Sequence, residues 1–83
     1  MPNVTLYSKP ECPLCDEARE ALERVRGRAP FELREVDITT DDGLHARYLE
    51  RIPVVALDGE ELSDFHVDEE ALERRLRAGA LAR

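Results

Sequence analysis

The sequence predicts an α/β domain with the element order βαβαββα, a four-stranded mixed sheet flanked by three helices. Three observations carry that expectation. Runs rich in β-formers at 4–7, 31–38, 53–57 and 60–65 alternate with stretches of helical apolar spacing, except between the last two. The strand–helix–strand opening favours two parallel strands joined by a right-handed crossover. Asp58-Gly59, between the last two strands, is a two-residue hairpin signal that adds an antiparallel pair. Eighty-three residues suit one domain over 1–83.

The first strand, 4–7, alternates Val4 and Leu6 with Thr5 and Tyr7. A loop with one proline follows, and Pro13 starts a helix, where its missing N–H costs nothing. Leu14, Ala18, Ala21, Leu22 and Val25 lie on one face, and Glu20 and Arg24 form a favourable i,i+4 pair on the other. Gly27 and Pro30 are expected to end this helix. In the second strand the apolar phase slips, with Phe31 and Leu33 odd but Val36 and Ile38 even. That marks either a bulge or a segment covered on both faces. Thr39 or Thr40 is expected to cap a short second helix with Asp41 and Asp42 in its first turn. Leu44, Tyr48 and Leu49 form its buried side, and Gly43 weakens it. Pro53 opens the third strand, where it need not donate to the ladder. The fourth strand is polar and reads as a charged edge. Asp68 caps the last helix, Val67 and Leu72 fit a hydrophobic staple, and Gly79 suits its C-cap.

Composition excludes several classes of function. The net charge is −7, from 12 basic and 19 acidic residues, which repels nucleic-acid phosphates. The longest apolar run, 53–57, is too short to span a membrane. The N-terminus lacks the charged-then-apolar pattern of a signal peptide. A cytoplasmic protein is therefore expected, and permanent structural disulfides are rare there. Eleven of the basic residues are arginines; Lys9 is the one lysine.

The chemistry-bearing stretch is Lys9-Pro10-Glu11-Cys12-Pro13-Leu14-Cys15, which holds both cysteines. A C-x-x-C at a strand-to-helix junction reads as a redox dithiol. Cys12 precedes the helix, where free N–H groups and the dipole favour a thiolate. Cys15 lies one turn in. Cys12 is the expected nucleophile and Cys15 the resolving thiol. Lys9 assists Cys12 or holds a substrate carboxylate, while Asp16 and Glu17 oppose the thiolate. A pair of buried helix cysteines is the bland rival, and it fits poorly with a solvent-facing Pro13. Structural zinc needs four ligands, and His45 and His66 have no convincing spacing with the cysteines. Both histidines read as surface or loop residues.

Taken together, these features resemble the glutaredoxins, of the thioredoxin-like fold. Tyr7-Ser8-Lys9 followed by Cys12-Pro13-Leu14-Cys15 is similar to the strand, lysine and C-P-x-C of dithiol glutaredoxins. Val36-Asp37-Ile38 resembles the end of their second strand, Ile52-Pro53-Val54 their cis-proline segment facing the dithiol, and Asp58-Gly59 their hairpin. The chain departs from that pattern at Leu14, at Arg51 and at Ser63-Asp64, where glutaredoxins carry Gly-Gly. It departs again at Phe65-His66, where they hold the γ-glutamyl end of glutathione. The pattern is closer to a glutaredoxin-like branch of bacterial proteins.

The resemblance implies a thiol–disulfide oxidoreductase that reduces protein or glutathione mixed disulfides through Cys12 and Cys15. Lys9, Pro13, Arg51, Ile52 and Pro53 are the expected substrate-binding residues. Arg47 and Arg51 either flank the site and attract a carboxylate or lie on a solvated helix face. No bound cofactor or metal is expected; glutathione is a possible co-substrate, though a weak one given the departures. The expected partners are disulfide-containing proteins, with a thiol reductant or reductase, and the expected state is a monomer. The alternative is an iron–sulfur or metal carrier module using the same cysteines.

Overall fold

In the computed structural model, which describes residues 2–81, the first strand lies inside the sheet. The elements are β1 (Asn3–Ser8), α1 (Pro13–Arg28), β2 (Glu32–Asp37), a 3-10 turn (Ile38–Thr40), α2 (Asp42–Tyr48), β3 (Val54–Leu57), β4 (Glu60–Asp64) and α3 (Glu69–Leu81). The sheet order is β2-β1-β3-β4, with β1 and β2 parallel and the other two pairings antiparallel. The expected α/β architecture, with a four-stranded mixed sheet and three helices, is the observed one.

Alternation along β1 decides which helix covers which face. Val4 and Leu6 are fully buried in a large apolar cluster with Leu22 and Val25 of α1 and with Leu72 and Leu76 of α3. Tyr7 points the other way and stacks on Tyr48 of α2, with ring centroids 4.5 Å apart. Helices α1 and α3 thus cover one face and α2 the other. The phase slip in β2 follows from the same geometry. Its register with β1 is unbroken over six pairs, so there is no bulge. Leu33 packs into the large cluster, whereas Val36 lies beside Tyr7 on the α2 face. The slip records a strand covered on both faces. The irregularity lies instead between β3 and β4, where the pairing shifts between Val55 and Ala56.

Several local expectations change. Gly27 does not end α1, which runs to Arg28 and is capped by Ala29; nothing crowds Gly27, and its backbone stays helical. Arg24 turns from Glu20 toward α3, where it pairs with Glu69 at 3.0 Å. Asp41, not Thr39 or Thr40, caps α2 by accepting from the Leu44 N–H. The threonines belong to the 3-10 turn, whose cap is Asp37, accepting from the Thr39 N–H at 2.8 Å. Tyr48 is buried but Leu49, the C-cap residue of α2, is exposed. Helix α3 passes through Gly79 to Leu81. Asp68 does cap α3, accepting from the Ala71 N–H at 3.0 Å. Asp58 and Gly59 both have positive φ, 49° and 89°, as a tight hairpin turn requires.

Candidate active site around the dithiol

The site forms where β1 hands over to α1. Glu11 takes a left-handed backbone conformation, φ 58°, which turns the chain into the helix. Such a φ is uncommon for a residue other than glycine and clusters at functional sites. Cys12 is then the N-cap of α1, and its Sγ accepts from the Cys15 N–H at 3.3 Å. Pro13 takes the first helical position and is exposed. The result is a half-buried sulfur at the positive end of a helix, facing a backbone donor.

Cys15 is buried at 1% exposure in a second, smaller cluster with Ile38, Tyr48, Ile52 and Val54. Tyr7, Cys12 and Leu44 pack against this cluster. Burial, followed by the hydrogen bond with Cys12, pushes the Cys15 thiol from 9.0 up to about 11. Two features oppose that rise. One is a hydrogen bond from the Lys9 backbone, and the other is the nearby Arg19 guanidinium. Both cysteines are free thiols.

Arg19 stands one turn beyond Cys15 on α1 and is clamped in place. It bonds Asp16 at 2.8 Å, and its Nε bonds Glu35 of β2 at 2.7 Å. Ser8, buried at 3% exposure, donates its hydroxyl to the other Glu35 oxygen at 2.8 Å. The Arg19 guanidinium, and then the Ser8 hydroxyl, hold the Glu35 carboxyl below the usual range despite partial desolvation. Asp16, expected to oppose a thiolate, is paired with Arg19.

Ile52, packed in the same cluster as Cys15, joins Pro53 through a cis peptide bond, and both residues are buried. Lys9 is exposed, and it reaches Cys15 through its backbone. Arg51 is engaged by strand β4: its Nε lies 3.3 Å from Asp64 and its Nη2 bonds Glu61. Arg47 also reaches Glu61, at 3.5 Å. The Tyr48 hydroxyl donates to Glu61 at 3.0 Å. Leu14 and Phe65 are exposed at 38% and 45%. They line a shallow groove of about 160 Å³ with Ala18, Ala21, His66 and Val67. Phe65 is held at φ 64° while its N–H donates to the Arg51 carbonyl at 3.3 Å. His45 is half-buried on α2 and His66 is exposed after β4. Among the described residues, no three of His, Cys, Asp and Glu gather as metal ligands, and no helix is long and apolar enough to cross a membrane.

Residues 3–77 match the sequence profile described as Glutaredoxin-like domain (DUF836). The chain belongs to this glutaredoxin-like family. An uncharacterized protein of Mycobacterium tuberculosis is 35% identical over 82 residues, which span 93% of this chain and 80% of that protein. The X-ray structure of protein XcR50 from X. campestris is 37% identical with a TM-score of 0.75, covering 90% of this chain and 96% of that one. A mutant thioredoxin from Halobacterium salinarum is 20% identical, with a TM-score of 0.65, and the match covers 93% of this chain and 73% of that one. At that identity the likeness establishes the thioredoxin fold. The family's description as a glutaredoxin-like domain supports a redox-type function in broad terms.

The sequence reading of this glutaredoxin-like site missed Arg19, Glu35, Tyr48 and Glu61. Arg19 was findable, since Cys15 and Arg19 stand four apart on one helix and so on one face. The others come from β2, α2 and β4, and reach the site through sheet order and register, which no local pattern carries.

Proposed function

We infer that this glutaredoxin-like protein is a thiol–disulfide oxidoreductase that uses Cys12 as nucleophile and Cys15 as resolving thiol. One observation carries the reading. A half-buried sulfur caps a helix and accepts a backbone N–H, and a second, buried thiol lies one turn behind it. The first arrangement suits a thiolate that meets the substrate; the second suits a thiol that meets only an intermediate.

The cycle balances. The Cys12 thiolate attacks one sulfur of a substrate disulfide, which breaks the S–S bond, forms a mixed disulfide at Cys12 and releases a thiolate that takes up a proton. Cys15 then loses its proton and attacks the Cys12 sulfur. The Cys12–Cys15 bond forms and the second substrate thiolate leaves and is protonated. Two electrons have passed from the dithiol to the substrate, and an external thiol reductant or reductase returns them. Forming the mixed disulfide also changes Cys15. The charge on Cys12 disappears, and with it the repulsion and hydrogen bond that hold the Cys15 proton; Arg19 and the Lys9 backbone remain to favour its loss. Burial, the largest cause of the raised Cys15 value, remains, so the first step eases the ionisation of the resolving thiol without completing it. In this reading the protein works as a monomer in the reducing cytoplasm on protein or glutathione mixed disulfides.

Purified variants test the assignment. Cys12→Ser is expected to abolish reduction of a disulfide substrate. Cys15→Ser is expected to accumulate mixed disulfides, visible by mass under non-reducing conditions. A Cys15→Ser protein that is as inert as Cys12→Ser and traps nothing would sink the role assignment. Visible absorbance after anaerobic reconstitution with iron and sulfide would favour the carrier alternative.

A further inference from the structure

The two arginines beside the cis-proline segment are already satisfied. Arg51 immediately precedes Ile52, yet its guanidinium is bound by Glu61 and Asp64 of β4. Arg47 reaches the same Glu61. Both guanidinium groups lie over the Tyr48 ring, at 5.3 Å for Arg47 and 5.7 Å for Arg51. Glu61 also accepts from the Tyr48 hydroxyl, so one carboxylate gathers three donors. A substrate carboxylate approaching these arginines meets an internal carboxylate in its place. The neighbouring groove is different in kind, since Leu14 and Phe65, the residue after Asp64, present exposed apolar surface.

We propose that Glu61 and Asp64 set substrate choice, acting as built-in carboxylates that occupy Arg47 and Arg51 and turn the site away from anionic thiols such as glutathione. The proposal rests on the oxidoreductase reading. Glutathione carries two carboxylates. To use Arg51 it must displace Glu61 or Asp64, which leaves like charges side by side in a chain already at −7. A protein disulfide whose flanking residues are uncharged meets no such repulsion and contacts Leu14 and Phe65. Specificity here comes from a group that repels the wrong partner as well as from surface that suits the right one.

The test uses one short peptide carrying its cysteine as a mixed disulfide with either glutathione or uncharged 2-mercaptoethanol. The wild-type protein is expected to favour the mercaptoethanol adduct. In Glu61→Gln/Asp64→Asn the KM for the glutathione adduct is expected to fall about fivefold, the scale of one released ion pair. The mercaptoethanol adduct serves as the internal reference, and the ratio between the two is the readout. Adding Arg51→Gln to that variant is expected to cancel the gain, which a loosened fold would not do. Should the double variant not fold, Asp64→Asn alone, at an exposed position, is expected to move the ratio in the same direction by a smaller factor. An unchanged ratio with both adducts turned over overturns the proposal while leaving the oxidoreductase reading intact. If the wild-type protein reduces neither adduct, that reading falls and the proposal falls with it.

Discussion

Two apolar clusters, one on each side of β1, differ in what they are made of. The larger joins β1, β3, α1 and α3 through Val4, Leu6, Leu22, Val55 and Leu72, branched side chains with no polar atom to satisfy. The smaller, under α2, joins Cys15, Ile38, Tyr48, Ile52 and Val54, with Tyr7 and Cys12 against it. Here thiols and phenols must be buried with partners, and they find them in Cys12, Glu61 and the Lys9 backbone. The difference teaches a division of labour. The first cluster carries the stability of a short chain. The second gives up some hydrophobic burial for the groups that the proposed cycle uses.

The largest expected effect tests the first half of that division. Leu22 is fully buried in the larger cluster. Leu22→Ala removes buried methyl groups and leaves a cavity, at a cost of about 3 kcal/mol. A domain of this size commonly has only about 4–12 kcal/mol in total, so urea unfolding should show a large fall in midpoint. Disulfide reduction per folded molecule, measured well below the new midpoint, is expected to persist. Loss of turnover in step with stability would show that the two clusters are not separable.

The second prediction concerns pH. The Cys15 thiol is raised to about 11, so at neutral pH it is protonated, and in the proposed cycle the resolving step waits on its ionisation. Below that range, resolution of a mixed disulfide is expected to accelerate about tenfold per pH unit. The inflection should fall below 11, because the mixed disulfide removes the Cys12 charge. Arg19→Met takes away a neighbouring positive charge, so it should shift the inflection upward and slow resolution at pH 7 by a few-fold. A single-turnover rate that ignores pH between 6 and 9 would contradict this account. The same shift bears on stability. The unfolded thiol ionises near 9.0 and the folded one near 11, so the unfolded state releases its proton first. The group contributes no pH dependence well below 9, and stability is lost as pH rises from 9 toward 11.

Much of the larger cluster was legible in the sequence. Apolar spacing along α1, alternation in β1 and the Asp58-Gly59 turn are local signals, and each maps onto an element of the fold. The dithiol was legible too, because C-x-x-C is a local motif at a recognisable junction. What surrounds it was not. Glu61 reaches Arg51 only because β4 pairs with β3 and the ladder shifts between Val55 and Ala56. Ser8 meets Glu35 because β1 and β2 are parallel in one register. Arg24 chose Glu69 over Glu20 because α3 lies alongside α1, although sequence spacing alone favours the helical neighbour. Charges were read as pairs within helices, and the fold uses many of them between elements.

Tyr48→Phe keeps the ring that stacks on Tyr7 and removes the hydroxyl that donates to Glu61. The hydroxyl is part-buried, and Glu61 keeps Arg51 as a partner, so the loss should be about 1 kcal/mol. Burial and the Glu61 carboxylate also push the Tyr48 phenol above its ordinary value, so its absorbance should titrate later than that of a free tyrosine. A Tyr48→Phe protein as stable as wild type would show that the stack, and not the hydrogen bond, holds α2 on the sheet.

The smallest expected effect lies far from the dithiol and has the opposite sign. Gly27 sits in the last turn of α1, exposed, with nothing within 4 Å of where a Cβ would stand. Glycine at a helical position forfeits backbone entropy on folding, and alanine restores part of it. Gly27→Ala should therefore stabilise by roughly 0.5–1 kcal/mol and raise the unfolding midpoint while leaving turnover unchanged. Gly59 is the contrasting case. It also has open space around it, but its φ of 89° is one that a side chain strains, so Gly59→Ala should destabilise. The pair separates conformation from crowding. If Gly27→Ala destabilised as Gly59→Ala does, α1 would end at Gly27 in solution, and its last turn would be no part of the scaffold that holds Cys12 and Cys15.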